Sequence, residues 1–196
     1  MYLQEHFNLN ELYRDYPEAP EIISSGGRER RIVTSSFNKL AVFSDLQQTE
    51  DSVRILGLSQ PGNRRVYKWI KREYIEDNGN LELFKVILPK SNGSGALGEV
   101  LSTPLIGEPL IGYTQSFLGI GACSSRVEAE AILKYVKSKF ARVLLGILKI
   151  TQDNPPEKWR YVPLQDFTSA SDIDWSKPIP EIDQQLYAKY ELTDKE

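Results

Sequence analysis

The sequence predicts a single α+β domain in which a mixed, mostly antiparallel sheet carries one long amphipathic helix packed on it. Three observations lead there. At 196 residues, with 40% hydrophobic and 26% charged residues, the chain has the size and composition to close one core. Short β-branched and aromatic runs bounded by turn signals are spread between residues 32 and 120. Apolar residues at steps of three and four then dominate residues 127–150, which is the periodicity of one helix face.

Residues 1–31 read as an irregular lead-in, with a short helix over 9–16 ended by Pro17 and Pro20 and a Ser-Ser-Gly-Gly turn at 24–27. The core is assigned to residues 32–167. Its first strands fall at 32–33, 40–43, 53–58 and 66–70, the last two joined by the turn QPGN at 60–63. A helical turn at 72–76 and the turn DNGN at 77–80 lead to the clearest strand, 83–88, which Pro89 stops; 113–120 is a further strand. Ser125 and Glu128 fit a capping box, in which the serine hydroxyl accepts from the Glu128 amide and the glutamate reaches back. Ala129, Ile132, Val136, Phe140, Val143, Ile147 and Ile150 then form one apolar stripe, and beyond Val143 the other faces turn apolar too, predicting burial on several sides. In residues 168–196, Pro178 and Pro180 predict an extended strap, closed by a short helix over 180–190.

Several function classes are excluded at this level. MYLQEHFNLN lacks the basic and apolar regions of a secretory signal, and the longest apolar run, 143–150, is too short to cross a membrane and carries Lys149. A cytoplasmic protein with no membrane partner is expected. Cys123 is the single cysteine and His6 the single histidine, so neither an internal disulfide nor a Cys/His zinc constellation can form. His6 reads as a solvated terminal residue, since a general base needs a positioned partner.

The net charge of −3 and a pI near 5.4 argue against a dedicated non-specific nucleic-acid binder. Positive charge is nevertheless clustered: at Arg28, Arg30 and Arg31; at Arg64, Arg65, Lys68, Lys71 and Arg72; and at Lys134, Lys137, Lys139 and Arg142. Acidic residues concentrate towards both ends, so a basic middle is hidden in the overall charge.

Two motifs imitate catalytic signatures. Gly93, Gly95 and Gly98 spell GSGALG, but a nucleotide-binding glycine loop needs a helix behind it, and EVLSTPLIGEP with Pro104 and Pro109 forbids one. The loop instead offers Lys90, Ser91, Asn92, Ser94 and exposed amides for close approach to a phosphate. NPPE at 154–157 resembles the Asn-Pro-Pro-aromatic motif of adenine methyltransferases, yet Glu157 cannot stack on a base, so the segment reads as a proline-stiffened loop between the long helix and the next strand. For a magnesium nuclease the chain lacks an acid two residues before any lysine, and Asp172, Asp174 and Asp183 read as a solvated or docking tail. No catalytic residue and no metal ligand is assigned.

The order of the segments SKFAR, LLGILK, TQ, VPLQDF and IDQQLYAKY resembles the C-terminal target-recognition region of adenine-specific DNA methyltransferases of restriction–modification systems, including the kind fused to an endonuclease. The likeness is strongest from Arg65 to Leu192. It implies a module that chooses a double-stranded DNA sequence beside the methyltransferase domain of a longer parent, where S-adenosylmethionine would bind; no cofactor is expected in this chain. Base reading is assigned to the turns around 60–65 and 90–98 and to Gln115, whose amide both donates and accepts. Phosphate contact is assigned to Arg28, Arg30, Arg31, Arg64, Arg65, Lys68, Lys71, Arg72, Lys90, Lys137 and Arg142. Two alternatives stand beside this reading: a restriction endonuclease with an atypical magnesium site, marked by converging carboxylates, and a protein-interaction module, marked by an exposed apolar patch without a basic concavity.

Overall fold

The N-terminal residues form the short helix expected over 9–16 and, beyond the irregular lead-in expected around it, supply a strand, a second helix and buried side chains to the core. In this computed structural model, which describes residues 1–23, 28–91, 93, 95–101 and 103–193, β1 (His6–Phe7) is followed by α1 (Leu9–Asp15), α2 (Ala19–Ile22) and α3 (Thr34–Lys39). Phe7, Leu12, Ala19 and Phe37 are fully buried, and Pro20 sits in the first turn of α2, where its missing N–H is no loss. The turn expected at 24–27 lies outside the described residues. Val33, expected in a strand, precedes α3: its N–H donates to the Ser36 hydroxyl at 3.1 Å, and that hydroxyl donates back to the Val33 carbonyl at 2.9 Å. The segment 40–43 buries Leu40, Val42 and Phe43 without forming a strand, and Ser44 bridges to Trp69.

The strands that follow are β2 (Ser52–Leu58), β3 (Arg65–Lys71), β4 (Ile75–Glu76), β5 (Phe84–Pro89), β6 (Leu105–Gly107), β7 (Ile111–Tyr113) and β8 (Phe117–Cys123), with a 3-10 turn (Arg72–Tyr74) before β4. They form two three-stranded sheets, β3-β2-β7 and β6-β5-β8, and a β1-β4 ribbon. Only the β2–β7 pair is parallel among these, so the pairing is mixed and mostly antiparallel as the sequence predicts, but divided between separate small sheets. The central strands β2 and β5 are covered on both faces, which is why SVRILGL and FKVILP read as apolar runs rather than as alternation. Leu56 of β2 and Ile87 of β5 meet Tyr113 and Phe117 in one cluster, holding the two sheets together. The strand expected over 113–120 divides at residues 114–116: β7 ends one sheet and β8 opens the other, so Gln115 lies at the crossing.

Lys85 of β5 is fully buried, and its ammonium is satisfied by the carbonyls of Leu83 (2.8 Å), Asn80 (2.9 Å), Leu81 (3.0 Å) and Glu108 (3.2 Å).

The helix expected as one element over 127–150 is two. Helix α4 (Arg126–Lys137) starts at the predicted cap, with the Ser125 hydroxyl accepting from the Glu128 amide. It stops at Ser138, which turns extended (φ −61°, ψ 151°) and begins α5 (Lys139–Leu148). The break is stabilised by partners for the amides it frees. Ser138 Oγ accepts from Ala141 N–H at 3.1 Å, while the Asp183 carboxylate accepts from the amides of Lys139 (3.1 Å) and Phe140 (2.9 Å). The Arg142 guanidinium donates back to the carbonyls of Lys137 and Ser138. Asp183 comes from α6 (Ile179–Lys189), the predicted C-terminal helix, whose Ile182 and Leu186 pack against Tyr135 and Phe140. Ala129, Ile132 and Val136 of α4 cover β5 and β8 through Val86, Leu88 and Leu118.

Candidate nucleic-acid interface

Five separate segments converge on one surface groove of about 680 Å³. The chain before α3 contributes Arg28 and Arg31. The β2–β3 hairpin contributes Leu58, Asn63 and Arg65, and the end of β5 contributes Pro89, Lys90 and Ser91. The sheet crossing contributes Gln115, Ser116 and Phe117, and Asp153 closes the rim. Backbone bonds fix these segments to one another: Gln115 N–H donates to the Ile32 carbonyl (3.0 Å), Lys90 N–H to Ser116 (2.9 Å) and Asn154 N–H to Lys90 (2.8 Å). Thr34 and Ser116 hydroxyls lie 3.3 Å apart beneath them. The groove is therefore carried by a rigid frame, a requirement for reading any ligand by hydrogen bonds.

Its charge is one-sided. Four cations, Arg28, Arg31, Arg65 and Lys90, face one carboxylate, Asp153, and among the described residues none of the five belongs to an ion pair. Arg65 is aimed by a bond from its guanidinium to the Thr103 carbonyl (2.7 Å) and by the Phe117 ring, 5.7 Å from the guanidinium carbon. Asn63 stands at φ 50° in the hairpin turn, a left-handed conformation that asparagine tolerates better than most side chains. In the neighbouring cavity beside Arg28, Arg30 and Arg31, burial, opposed by Glu76 and reinforced by Arg31 and Arg30, holds the His6 imidazole below its ordinary pKa.

Six of the residues singled out from the sequence thus share the groove: Arg28, Arg31, Arg65, Lys90, Ser91 and Gln115. Asn92 and Ser94 lie outside the described residues. The others stand apart from it. Arg30 pairs with Glu76 (3.0 Å), Lys71 with Glu73 (3.6 Å) and Arg72 with Glu82 (3.5 Å), so their charge is partly neutralised locally. Lys68 donates to the Phe37 carbonyl (3.2 Å) and lies over its ring. Arg64 is exposed on the hairpin and Lys137 at the end of α4, while Arg142 is committed to the helix break and to the Gly98 carbonyl. Lys134, on the same helix, donates to the carbonyls of Trp175, Ser176 and Lys177 and so holds the C-terminal strap. Sequence reading missed Asp153, the residue just before the NPPE loop; no local signal marks it, because it enters the groove through its bridge to Ser91.

The glycine loop departs from its expected role beyond Ser91. Its described residues 95–98 pack back on α5. Gly95 N–H donates to Glu99 Oε1 (3.1 Å), and Glu99 is paired with the buried Lys149. A Cβ at Gly95, whose φ is +92°, would fall 2.5 Å from the Ile150 carbonyl carbon. This glycine is a packing requirement and not an open approach to a ligand. The NPPE segment joins α5 to a 3-10 turn (Pro156–Tyr161) where a strand was expected, and Asn154 is fully buried.

Among the described residues no group of three His, Cys, Asp or Glu side chains is placed to hold a metal ion, and no helix is long and apolar enough to cross a membrane. The fold and groove together describe an α+β protein with a polar, net-basic surface cleft built at the junction of two sheets. Comparison with protein-family models, with curated proteins and with solved structures yields no match.

Proposed function

We propose that the chain is a sequence-specific double-stranded DNA-binding module, the target-recognition part of a restriction–modification adenine methyltransferase acting in the cytoplasm. The observation that carries this reading is the groove itself. Four cations from three chain segments surround amide and hydroxyl side chains that donate and accept. Such a mixture suits DNA, where cations neutralise phosphates while polar side chains compare base edges. Gln115 is the candidate reader of adenine, because its amide matches the N6 donor and N7 acceptor together. Methyl transfer and S-adenosylmethionine binding would belong to a methyltransferase domain of the parent enzyme, docked beside this module.

The test is duplex binding as a function of salt. Replacing Arg28, Arg31 and Lys90 by Ala should weaken binding to all duplexes alike and reduce the slope of log affinity against log salt by up to about one per lost contact. Fluorescence anisotropy with labelled duplexes measures both. A slope unchanged in the triple variant would sink the assignment of this groove to DNA.

A further inference from the structure

Asp153 is the one acidic side chain in the groove among the described residues, and its position is costly if the groove only neutralises phosphates. A carboxylate there repels the backbone that Arg28, Arg31, Arg65 and Lys90 attract. Nor is it spent inside the protein: among the described residues it joins no ion pair, and Oδ1 accepts a local bond from Asn154 N–H at 3.1 Å. Its backbone is pinned by the bridge to Ser91 and by Asn154 N–H donating to the Lys90 carbonyl at 2.8 Å, so the side chain is presented from a fixed strap.

On the reading of the groove as a DNA interface, we infer that Asp153 selects a cytosine in the target by accepting from its exocyclic N4 amino group. The chemistry narrows the choice. An ionised carboxylate has acceptors and no donor, so it matches an edge that presents an amino group. In the major groove only cytosine N4 and adenine N6 are amino donors, while guanine O6 and N7 and thymine O4 accept and would face the carboxylate lone pair to lone pair. Adenine sets its N7 acceptor beside N6, which suits a side-chain amide such as that of Gln115 and opposes a carboxylate. Cytosine presents no adjacent acceptor in that groove. Asp153 is thus a specificity-determining residue: it lowers affinity for DNA in general and restores it for one base pair.

The experiment uses the full chain and a library of randomised duplexes, from which the wild type and two variants, Asp153→Asn and Asp153→Ala, each select their preferred sequences. Asp153→Asn keeps the acceptor for Asn154 N–H, and thermal unfolding of both variants checks that they fold. The wild type should enrich a motif with one fixed cytosine, preferred by roughly tenfold over other bases at that position. Asp153→Asn should shift that position towards adenine, because an amide donates to N7 while accepting from N6, and Asp153→Ala should lose preference there and nowhere else. If both variants select the wild-type motif and merely bind every duplex more tightly, Asp153 reads no base and the inference falls while DNA binding stands. If the wild type enriches no motif at all, the DNA reading falls, and this inference falls with it.

Discussion

Replacing Glu5 by Gln should flatten the dependence of stability on pH. Glu5 precedes β1 and is fully buried, with Oε2 accepting from the Tyr113 amide at 2.6 Å and Oε1 without a hydrogen-bond partner among the described residues. Burial pushes its carboxyl from an ordinary 4.5 up to about 7; the amide bonds of Tyr113 and of Glu5 itself and the charge of Lys85 pull the other way, and Asp77 adds to the rise. The folded state therefore holds its proton more tightly than the unfolded one. Stability from this group is fully present below pH 4.5 and is lost as pH rises through about 7. At about 1.4 kcal/mol for each pH unit separating the two values, the loss across the window is about 3 kcal/mol. Buried Lys85 is shifted the opposite way, down to about 8 by burial, so it begins to titrate only at the upper end of the measured range, and it is present in both proteins. Urea unfolding followed by tryptophan fluorescence at pH 4.5 and at about pH 8 gives the difference directly. The wild type should lose about 3 kcal/mol more than Glu5→Gln between the two conditions. A constant cost of burying the amide would cancel in that comparison. Equal losses in the two proteins would refute the argument, since they would show that Glu5 does not change its proton between folded and unfolded states in this range.

Two stability predictions follow from the loop and the helix break, besides the salt-slope and base-selection experiments described above. Gly62 (φ +101°) has open space where a Cβ would go, whereas Gly95 (φ +92°) has the Ile150 backbone there. Both changes to Ala carry backbone strain of about 1–3 kcal/mol, and Gly95→Ala should cost a further 1 kcal/mol or more, roughly, from the clash; equal costs in urea unfolding would show that the loop yields. Asp183→Ala strands the amides of Lys139 and Phe140 and removes a negative charge from the start of α5, so it should cost about 2 kcal/mol and speed amide exchange in that first turn. Unaltered exchange at those two amides would mean that Ser138 alone ends α4.

What was legible in the sequence was whatever is written locally. The QPGN and DNGN turns bracket β2, β3 and β5 within a residue or two of the expected positions, and Ser125 caps α4 as its spacing predicts. The break at Ser138 was not legible, because residues 127–150 keep their apolar stripe through it, and two of the acceptors that stabilise it belong to Asp183, 44 residues beyond Lys139. The serine in SKFAR was the one local hint, since its hydroxyl can start a second helix as readily as ride inside the first. Similarly, polar Thr114, Gln115 and Ser116 interrupt the apolar run of residues 111–120, but nothing local says that the chain leaves one sheet after Tyr113 and enters another at Phe117; sheet membership is decided by partners distant in sequence.

The same division governs the site. Sequence clustering picks out basic residues by proximity along the chain, but the fold sorts them by what lies opposite. Arg30, Lys71 and Arg72 acquire Glu76, Glu73 and Glu82 as partners, whereas Arg28, Arg31, Arg65 and Lys90, spread over about sixty positions, are brought to one cleft without such partners among the described residues. Exposed ion pairs are worth little to the fold, typically below about 1 kcal/mol, yet each one removes a cation from the charge available to a ligand. Local neutralisation therefore concentrates the usable positive potential of an otherwise acidic chain at the junction of its two sheets, where the N-terminal segment, the hairpin, the β5 end and the Asp153 strap are bonded into one frame.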